Sequence, residues 1–451
     1  MRTLRAAILL AALVATVCAA PAPAVATPDT SDPFYAPPAN YQAAEPGSIL
    51  RVREIQASYS QLVPMPVAAW QVLYRTTNAD GRPYAAVTTI MKSRRTDQPA
   101  ALLSYQNMTD AIAPKCQPSQ VLRQGQVPWI DPSASGPLQL STMAGESPMV
   151  AAALARGWAV SVPDFGGVDN HYSTPREPGY VVLDGIRAAE RFEPVGLPGS
   201  DTRALLWGYS GGAIASAWAA ETQPRYAPEL AIAGSALGGP VGDPAATLRA
   251  ANGTPVGGAL VPVALMGLMQ DSPAFTAALN RYLTPAGKQK IDAAKDNCTP
   301  QNMISDLGFD ANQFLTASWD DVLADPEIRT ALEDRTLGKS APTSPLYVYN
   351  AINDEGSTIG AVDALVSTYC AGGTPVTYRR EQIEYPYSGH TLEWFLGAPA
   401  ALAWLEQRID TSTAPSGCDT QSVPATVLDP TAMNALVSGI LTAPLRVMLG
   451  Y

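Results

Sequence analysis

The strongest chemical signal in the sequence is a serine flanked by glycines, in the segment 208–212 (GYSGG). It follows the apolar run 204–207 and precedes the alanine-rich run 213–221. Between a strand and a helix, glycines two positions before and after a serine remove side chains that would collide in a very tight turn. Such a turn exposes Ser210 at a helix N-terminus, which favours negative charge. The pattern predicts a nucleophilic serine; the alternative is a plain turn with an inert one.

A serine nucleophile needs a base, and the chain contains only two histidines. Proteins that use this strand–turn–helix motif place serine, acid and histidine in that order along the chain. His171 precedes Ser210 and fails this order, so we interpret it as a loop histidine that at most lines the site. His390 follows Ser210, in a loop before the last predicted helix, and is the predicted base.

The orienting acid should follow the strand that precedes His390. The run 345–350 (PLYVYN) is followed by Asp354 and Glu355. We choose Asp354 as the acid, which would hold the imidazole tautomer and stabilise its cation, and keep Glu355 as the competitor. An oxyanion hole needs two donors: the N–H of Gly211 is one, and the loop 106–110 should supply the other. General rules do not place that second donor.

Strand-like and helix-like segments alternate around these residues, which predicts an α/β fold with a mostly parallel central sheet flanked by helices. The segments 69–77 and 85–92, joined by a turn at 78–81, predict a hairpin that precedes this alternation. The predicted strands that follow are 100–105, 158–162, 204–207, 230–235, 345–350 and 376–378. The predicted helices are 149–156, 181–192, 211–221, 359–369 and 392–407.

The alternation is interrupted at 238–340, where helical runs dominate. These runs are 259–269, 272–283, 287–296, 313–323 and 326–337. A long helical segment between two strands predicts an inserted helical cap, or lid. The core is thereby divided into a first part, 49–237, and a second part, 341–420, which carries the acid and His390.

The N-terminal segment has the form of an export signal. Arg2 and Arg5 precede the apolar run 6–17, and an A-x-A site ends at Ala26. We predict cleavage after Ala26, with lipoprotein anchoring at Cys18 as the alternative. An arm at 27–48, either laid over the surface or mobile, and a tail at 421–451 with a modest amphipathic helix would complete the chain.

Four cysteines remain after cleavage: Cys116, Cys298, Cys370 and Cys418. An even number in an exported chain predicts two disulfides. Three pairings are possible, and spacing alone does not choose among them.

The composition narrows the class of function. The chain has 29 Lys and Arg against 40 Asp and Glu, a net charge of −11, which argues against nucleic acid as a partner. Two histidines cannot form a three-histidine metal site, and the proposed chemistry requires no metal or organic cofactor. Apolar runs after the signal are too short to span a bilayer. We expect a monomer.

Several motifs, taken in order, resemble the secretory lipase family typified by Candida antarctica lipase A. They are 208–213 (GYSGGA), 105–106 (YQ) with Asp110 and 116–119 (CQPS), 162–167 (VPDFGG), 353–355 (NDE) and 389–390 (GH), with Cys298 and Cys370 at suitable places. The resemblance covers about residues 30–420. The sequence departs from the family pattern at 356–358 (GST) and beyond Cys418.

The resemblance implies an α/β-hydrolase with a helical cap and a C-terminal flap over an acyl tunnel. It implies Ser210, Asp354 and His390 as the triad, and Asp110 beside Gly211 in the oxyanion hole. It also implies the disulfides Cys116–Cys298 and Cys370–Cys418. A carboxylate would repel an oxyanion, so either the backbone N–H of Asp110 donates or its carboxyl group is protonated.

These observations predict a secreted serine ester hydrolase, a lipase that acts on lipid esters, with triacylglycerols as the expected substrates, at a lipid–water interface. The alternatives on the same fold are a short-chain carboxylesterase, an acyltransferase or a peptidase. A further alternative is an exported lipid-binding protein without turnover, because a fold alone does not establish a function.

Overall fold

The computed structural model describes residues 32–127, 130, 139–382, 384, 388–410 and 415–450. The predicted signal peptide, Cys18 and the first part of the predicted arm lie outside the described residues. From Asp32 onward the arm is anchored to the body. The Asp32 carboxylate pairs with Arg53 at 2.6 Å and with Arg123 at 3.1 Å, and Phe34 is buried against the hairpin.

One large sheet forms the centre of the described structure. The strands, in chain order, are β1 (Ile49–Glu54), β2 (Ser58–Tyr59), β3 (Val63–Pro64), β4 (Val67–Thr77), β5 (Pro83–Ser93), β6 (Leu102–Gln106), β7 (Ala159–Pro163), β8 (Arg203–Tyr209), β9 (Ala231–Gly238), β10 (Leu346–Ala351), β11 (Val376–Glu381) and β12 (Cys418–Val423). Among the described residues, ten of them pair in the order β1-β4-β5-β7-β6-β8-β9-β10-β11-β12, and β2 with β3 forms a separate small sheet.

The sheet is antiparallel at one side and parallel in the rest. β1, β4, β5 and β7 pair antiparallel, whereas each pair from β7 through β12 is parallel. The mostly parallel sheet with crossover helices confirms the predicted fold class. Because parallel strands end at the same edge, the loops after β6, β8, β10 and β11 meet there. Each of the predicted site residues lies on one of these loops or in the helix turn that follows.

Helices cover both faces of the sheet. They are α1 (Pro118–Val121), α2 (Thr142–Leu154), α3 (Glu177–Arg191), α4 (Gly211–Tyr226), α5 (Pro244–Ala251), α6 (Val261–Asp271), α7 (Pro273–Tyr282), α8 (Pro285–Ala294), α9 (Thr299–Ser305), α10 (Trp319–Ala324), α11 (Pro326–Asp334), α12 (Ile359–Ala371), α13 (Gly389–Asp410), α14 (Pro430–Asn434) and α15 (Ala443–Met448). α2 and α13 pack on one face, and α3, α4 and α12 pack on the other.

The segment between β9 and β10 holds the helices α5 to α11 and has its own apolar core, which includes Leu248, Phe275, Trp319 and Leu332. The predicted single helix at 313–323 is wrong. Its first half is irregular, because Phe314 and Thr316 form backbone hydrogen bonds with Thr284 and Tyr282 at the end of α7, and only α10 remains an α-helix. The cap boundaries at 238 and 340 stay predictions.

The tail begins with a strand that the sequence did not indicate. β12 pairs with β11 at the sheet edge, and a disulfide joins its first residue, Cys418, to Cys370 in α12. Beyond it, α14, a π-helix at Ala435–Leu441 and α15 pack against α2 and α13. No helix in the described ranges is both long and apolar enough to cross a membrane.

Candidate active site

Ser210 lies in the turn between β8 and α4, as the glycine pattern predicts. Its backbone is in the left-handed region, with φ 52° and ψ −119°. A Cβ on Gly208 would stand 2.3 Å from the carbonyl carbon of Gly212, and one on Gly212 would stand 2.0 Å from the carbonyl oxygen of Gln106. Both glycines are therefore required by backbone contacts, which hold Ser210 at the edge of the sheet.

His390 reaches Ser210 from the first turn of α13. Its Nε2 atom is 2.7 Å from Ser210 Oγ, and its Nδ1 atom is 2.9 Å from both carboxylate oxygens of Asp354. The structure thus brings Ser210, His390 and Asp354 into one hydrogen-bonded chain across three separate loops. In this arrangement Nε2 can accept the serine proton while the carboxylate holds Nδ1–H.

Tyr209 and Gly356 both help to position His390. The hydroxyl of Tyr209 donates to the carbonyl oxygen of His390 at 2.6 Å. On another side, a Cβ on Gly356 would stand 2.8 Å from Cγ of the ring, so only glycine fits beneath it. Gly356 therefore leaves room for the imidazole ring.

The two adjacent carboxylates after β10 have different contacts. Asp354 Oδ1 accepts from the backbone N–H groups of Gly356 and Ser357, at 2.8 and 2.6 Å, in addition to facing His390. Glu355 points instead at the start of α13. The geometry favours Asp354 over its competitor as the orienting acid.

The electrostatic surroundings of His390 favour its charged form. Burial by itself would lower the pKa of His390, but the charge of Asp354 and the hydrogen bond to it raise the pKa above its ordinary value. Glu355 and Asp110 act in the same direction from a greater distance. A raised pKa suits a base that must hold a proton between two steps of a reaction.

Asp110 lies beside Gly211, where the resemblance implied an oxyanion hole. Oδ1 of Asp110 would be 2.1 Å from a Cβ on Gly211, and it has no hydrogen-bond partner among the described residues. Burial raises the pKa of Asp110, an effect that a hydrogen bond from Tyr172 and the charge of His390 partly oppose. Its backbone, with φ 35°, is also in the left-handed region.

The loop that carries Asp110 is attached to the cap. The Cys116–Cys298 disulfide joins it to the start of α9, as the resemblance implied. The hydroxyl of Thr299, next in the chain, donates to the carbonyl oxygen of Asp110 at 3.0 Å. From the other side, Glu146 accepts from the backbone N–H of Met108 at 3.2 Å. These contacts hold Asp110 in place relative to Ser210.

Two apolar cavities meet at Ser210. The first, of about 100 Å³, runs under the cap between Trp218, Leu248 and Leu268. The second, of about 240 Å³, lies between Met108, Met303 and Trp394. Asp110, Ser210 and His390 line both. An ester at Ser210 therefore has apolar space on both sides of its carbonyl group.

Sequence reasoning missed several residues near the site. Tyr172, which contacts Asp110, and Trp394 and Phe395, which line the second cavity, gave no sequence signal of their own. His171 does not join Ser210. Its Nδ1 atom is 2.7 Å from Glu177, and its ring stacks on Tyr84. Within the described ranges, no group of three His, Cys, Asp or Glu side chains could hold a metal ion.

A nucleophile turn at the edge of a mostly parallel sheet, with acid and histidine on the loops that follow, defines an α/β-hydrolase. A family model described as "Secretory lipase" matches residues 134–417, more than half of the chain. The chain belongs to the secretory lipase family.

Individual proteins support this assignment. A probable inactive lipase of Mycobacterium tuberculosis is 41% identical over 382 residues, which cover 84% of this chain and 82% of that protein. Lipase A of Arthroderma benhamiae is 34% identical, over 92% of this chain and 87% of that protein. An X-ray structure of Candida antarctica lipase A matches with a TM-score of 0.77 and 25% identity, over 93% of this chain and 95% of that one.

Proposed function

We propose that this protein is an exported serine ester hydrolase that cleaves carboxylic esters of lipids, with triacylglycerols as the expected substrates. One observation carries the proposal: the hydrogen-bonded chain of Ser210, His390 and Asp354 lies where two apolar cavities meet. Family membership supports ester hydrolysis. The N-terminal export signal in the sequence and the two disulfides support export.

In the first step, His390 Nε2 accepts the proton of Ser210 Oγ as this oxygen attacks the ester carbonyl carbon. The carbonyl π electrons move to the oxygen, and a tetrahedral oxyanion forms. The N–H of Gly211, the first residue of α4, has no partner within its helix and can donate to this oxyanion. Asp110 supplies the second hydrogen bond.

In the second step, the tetrahedral intermediate collapses and the bond to the leaving alcohol breaks. The imidazolium of His390 gives its proton to the alcohol oxygen, and the acyl group remains on Ser210. Water then repeats the sequence, with His390 as the base, and releases the carboxylic acid. Asp354 stabilises the imidazolium in both halves of the cycle.

A second candidate function is lipid binding without turnover. It is favoured by one relative, which is described as a probable inactive lipase. In this protein, however, the distances from Ser210 to His390 and from His390 to Asp354 are short enough for proton transfer from the serine. Lipid binding without turnover would leave the two apolar cavities as the functional feature.

The test is hydrolysis of p-nitrophenyl esters from acetate to palmitate by the secreted protein, with Ser210→Ala as the control. We expect the wild type to prefer long chains, and Ser210→Ala to lower kcat by about 10⁶. A preference for short chains would indicate a carboxylesterase, and preferential transfer to added alcohols an acyltransferase. Activity in Ser210→Ala within tenfold of the wild type would remove Ser210 from the mechanism. Binding of the esters without Ser210-dependent turnover would support the second candidate.

A further inference from the structure

A second carboxylate, Glu355, forms hydrogen bonds with the start of the helix that carries His390. Its Oε2 atom accepts from the backbone N–H of Gly389 at 3.1 Å and from that of His390 at 3.4 Å. Its other oxygen accepts from the hydroxyl of Ser388. Glu355 does not contact the imidazole ring; it binds the backbone that positions the ring.

The start of α13 is an unfavourable place for a catalytic cation. His390 is the second residue of a 22-residue helix. The first N–H groups of a helix have no partners within it, and they carry a partial positive charge that disfavours a nearby imidazolium. During acyl transfer His390 must become that imidazolium. Something has to satisfy these N–H groups and offset their charge.

We propose that Glu355 is a positioning residue whose negative charge holds the start of α13 and offsets its positive end as His390 becomes protonated. The proposal rests on the proposed function, since it assigns a role in the same acyl-transfer reaction. The two adjacent carboxylates then have different roles. Asp354 selects the tautomer at Nδ1, and Glu355 stabilises the helix end from which the ring projects.

The other groups that face His390 do not duplicate this role. Asp354 acts at the ring itself, and Asp110 faces it from the loop after β6. Tyr209, from the end of β8, donates a neutral hydroxyl to the carbonyl oxygen of His390. Among the described residues, Glu355 is the carboxylate that accepts from the first N–H groups of α13. The charge of Glu355 also acts to raise the pKa of His390.

The first test is the pH dependence of kcat/KM in Glu355→Gln, which keeps an acceptor oxygen and removes the charge. Losing the charge should weaken His390 as a base and lower its pKa. We expect the acid limb to move to lower pH by roughly half to one pH unit, with kcat about tenfold lower. Glu355→Asp, which retains the charge, should show the same acid limb of kcat/KM as the wild type.

The matched control is Glu406→Gln, which also removes one carboxylate charge, here from within α13 and far from its N-terminus. It lies 16 residues beyond His390, about 24 Å along the axis, and pairs with Arg156. Its acid limb should coincide with that of the wild type. A fall in kcat in Glu355→Gln with an unmoved limb would mean that Glu355 only shapes the loop, and would overturn the proposal. An unchanged kcat and limb would do the same.

A second measurement does not depend on turnover. The chain has only two histidines, so ¹⁵N-histidine NMR gives two ring titrations, and His171→Asn assigns them. The pKa of His390 should be lower by roughly half to one pH unit in Glu355→Gln than in the wild type. Equal values in the two proteins would overturn the proposal. If the wild type showed no Ser210-dependent turnover, the proposed function would fail while this titration still decided the role of Glu355.

Discussion

Two carboxyl groups lie within the same buried site, and their surroundings differ. Asp354 accepts two backbone N–H bonds and faces Nδ1 of His390 with both oxygens. Asp110 is equally buried, yet its Oδ1 atom has no partner among the described residues and points toward Gly211. Burial raises the pKa of Asp110. Within one site, therefore, Asp354 is surrounded by donors, whereas Asp110 has fewer donors than its oxygens can accept from.

The difference shows how position assigns chemistry to identical side chains. A carboxylate surrounded by donors serves as an acceptor and stabilises the cation of its neighbour. A buried carboxyl group with one oxygen left without a donor favours its protonated form, which can itself donate to an oxyanion. The two aspartates lie on loops after different strands of one sheet, Asp354 after β10 and Asp110 after β6.

Of the two aspartates, the larger effect is expected from removing the charge of Asp354, the carboxylate surrounded by hydrogen-bond donors. Asp354→Asn keeps the shape of the side chain, but its amide cannot hold Nδ1–H in the working tautomer. The amide NH₂ of asparagine can also face the backbone N–H groups of Gly356 and Ser357, which then lose an acceptor. We predict that kcat falls by about 10⁴. The measurement is single-turnover acylation with a p-nitrophenyl ester, with the Tm of the variant as the control for folding. A loss of less than tenfold would remove Asp354 from the relay.

A smaller effect is expected at Asp110, whose Oδ1 atom has no hydrogen-bond partner among the described residues. Asp110→Ala should lower kcat by roughly 10² to 10³, the loss typical of one oxyanion donor. Asp110→Asn should retain activity within about tenfold, because its amide N–H can donate at any working pH and asparagine tolerates a positive φ. If the protonated carboxyl group of Asp110 is the donor, wild-type activity should be lost as pH rises through its raised pKa. This alkaline limb should be absent in Asp110→Asn.

The comparison of Asp110→Ala with Asp110→Asn sharpens the assignment. If the two variants lose the same activity and keep the alkaline limb, the backbone N–H of residue 110 is the donor, and the contrast between the two carboxyl groups fails. Because alanine is strained at φ 35°, the Tm of both variants must be measured beside the kinetics.

Much of this fold could be predicted from the sequence because its elements carry strong local signals. The apolar strands and the GYSGG turn predict where the sheet edge lies, and Ser210, Asp354 and His390 follow the chain order that triads on this motif use. The polar strand β12 carries no such signal. It is exposed along almost its whole length, and it is held by pairing with β11 and by the disulfide to α12.

The site was less predictable where tertiary contacts decide the role. Nothing local distinguishes Asp354 from Glu355, and only the approach of α13 separates their partners. Asp110 could be named from the resemblance alone, because its loop has no motif of its own and is shaped by the disulfide to the cap. The helix predicted at 313–323 failed for the same reason, since contacts with the end of α7 override its propensity.

The most direct test of the central claim is labelling of the secreted protein with a fluorophosphonate, followed by peptide mapping by mass spectrometry. The reagent phosphonylates a serine only where a base has activated it. We predict one adduct per chain, on the peptide that contains Ser210, and its loss in His390→Ala. An adduct on another serine, or a folded wild-type protein that takes up no label, would contradict it.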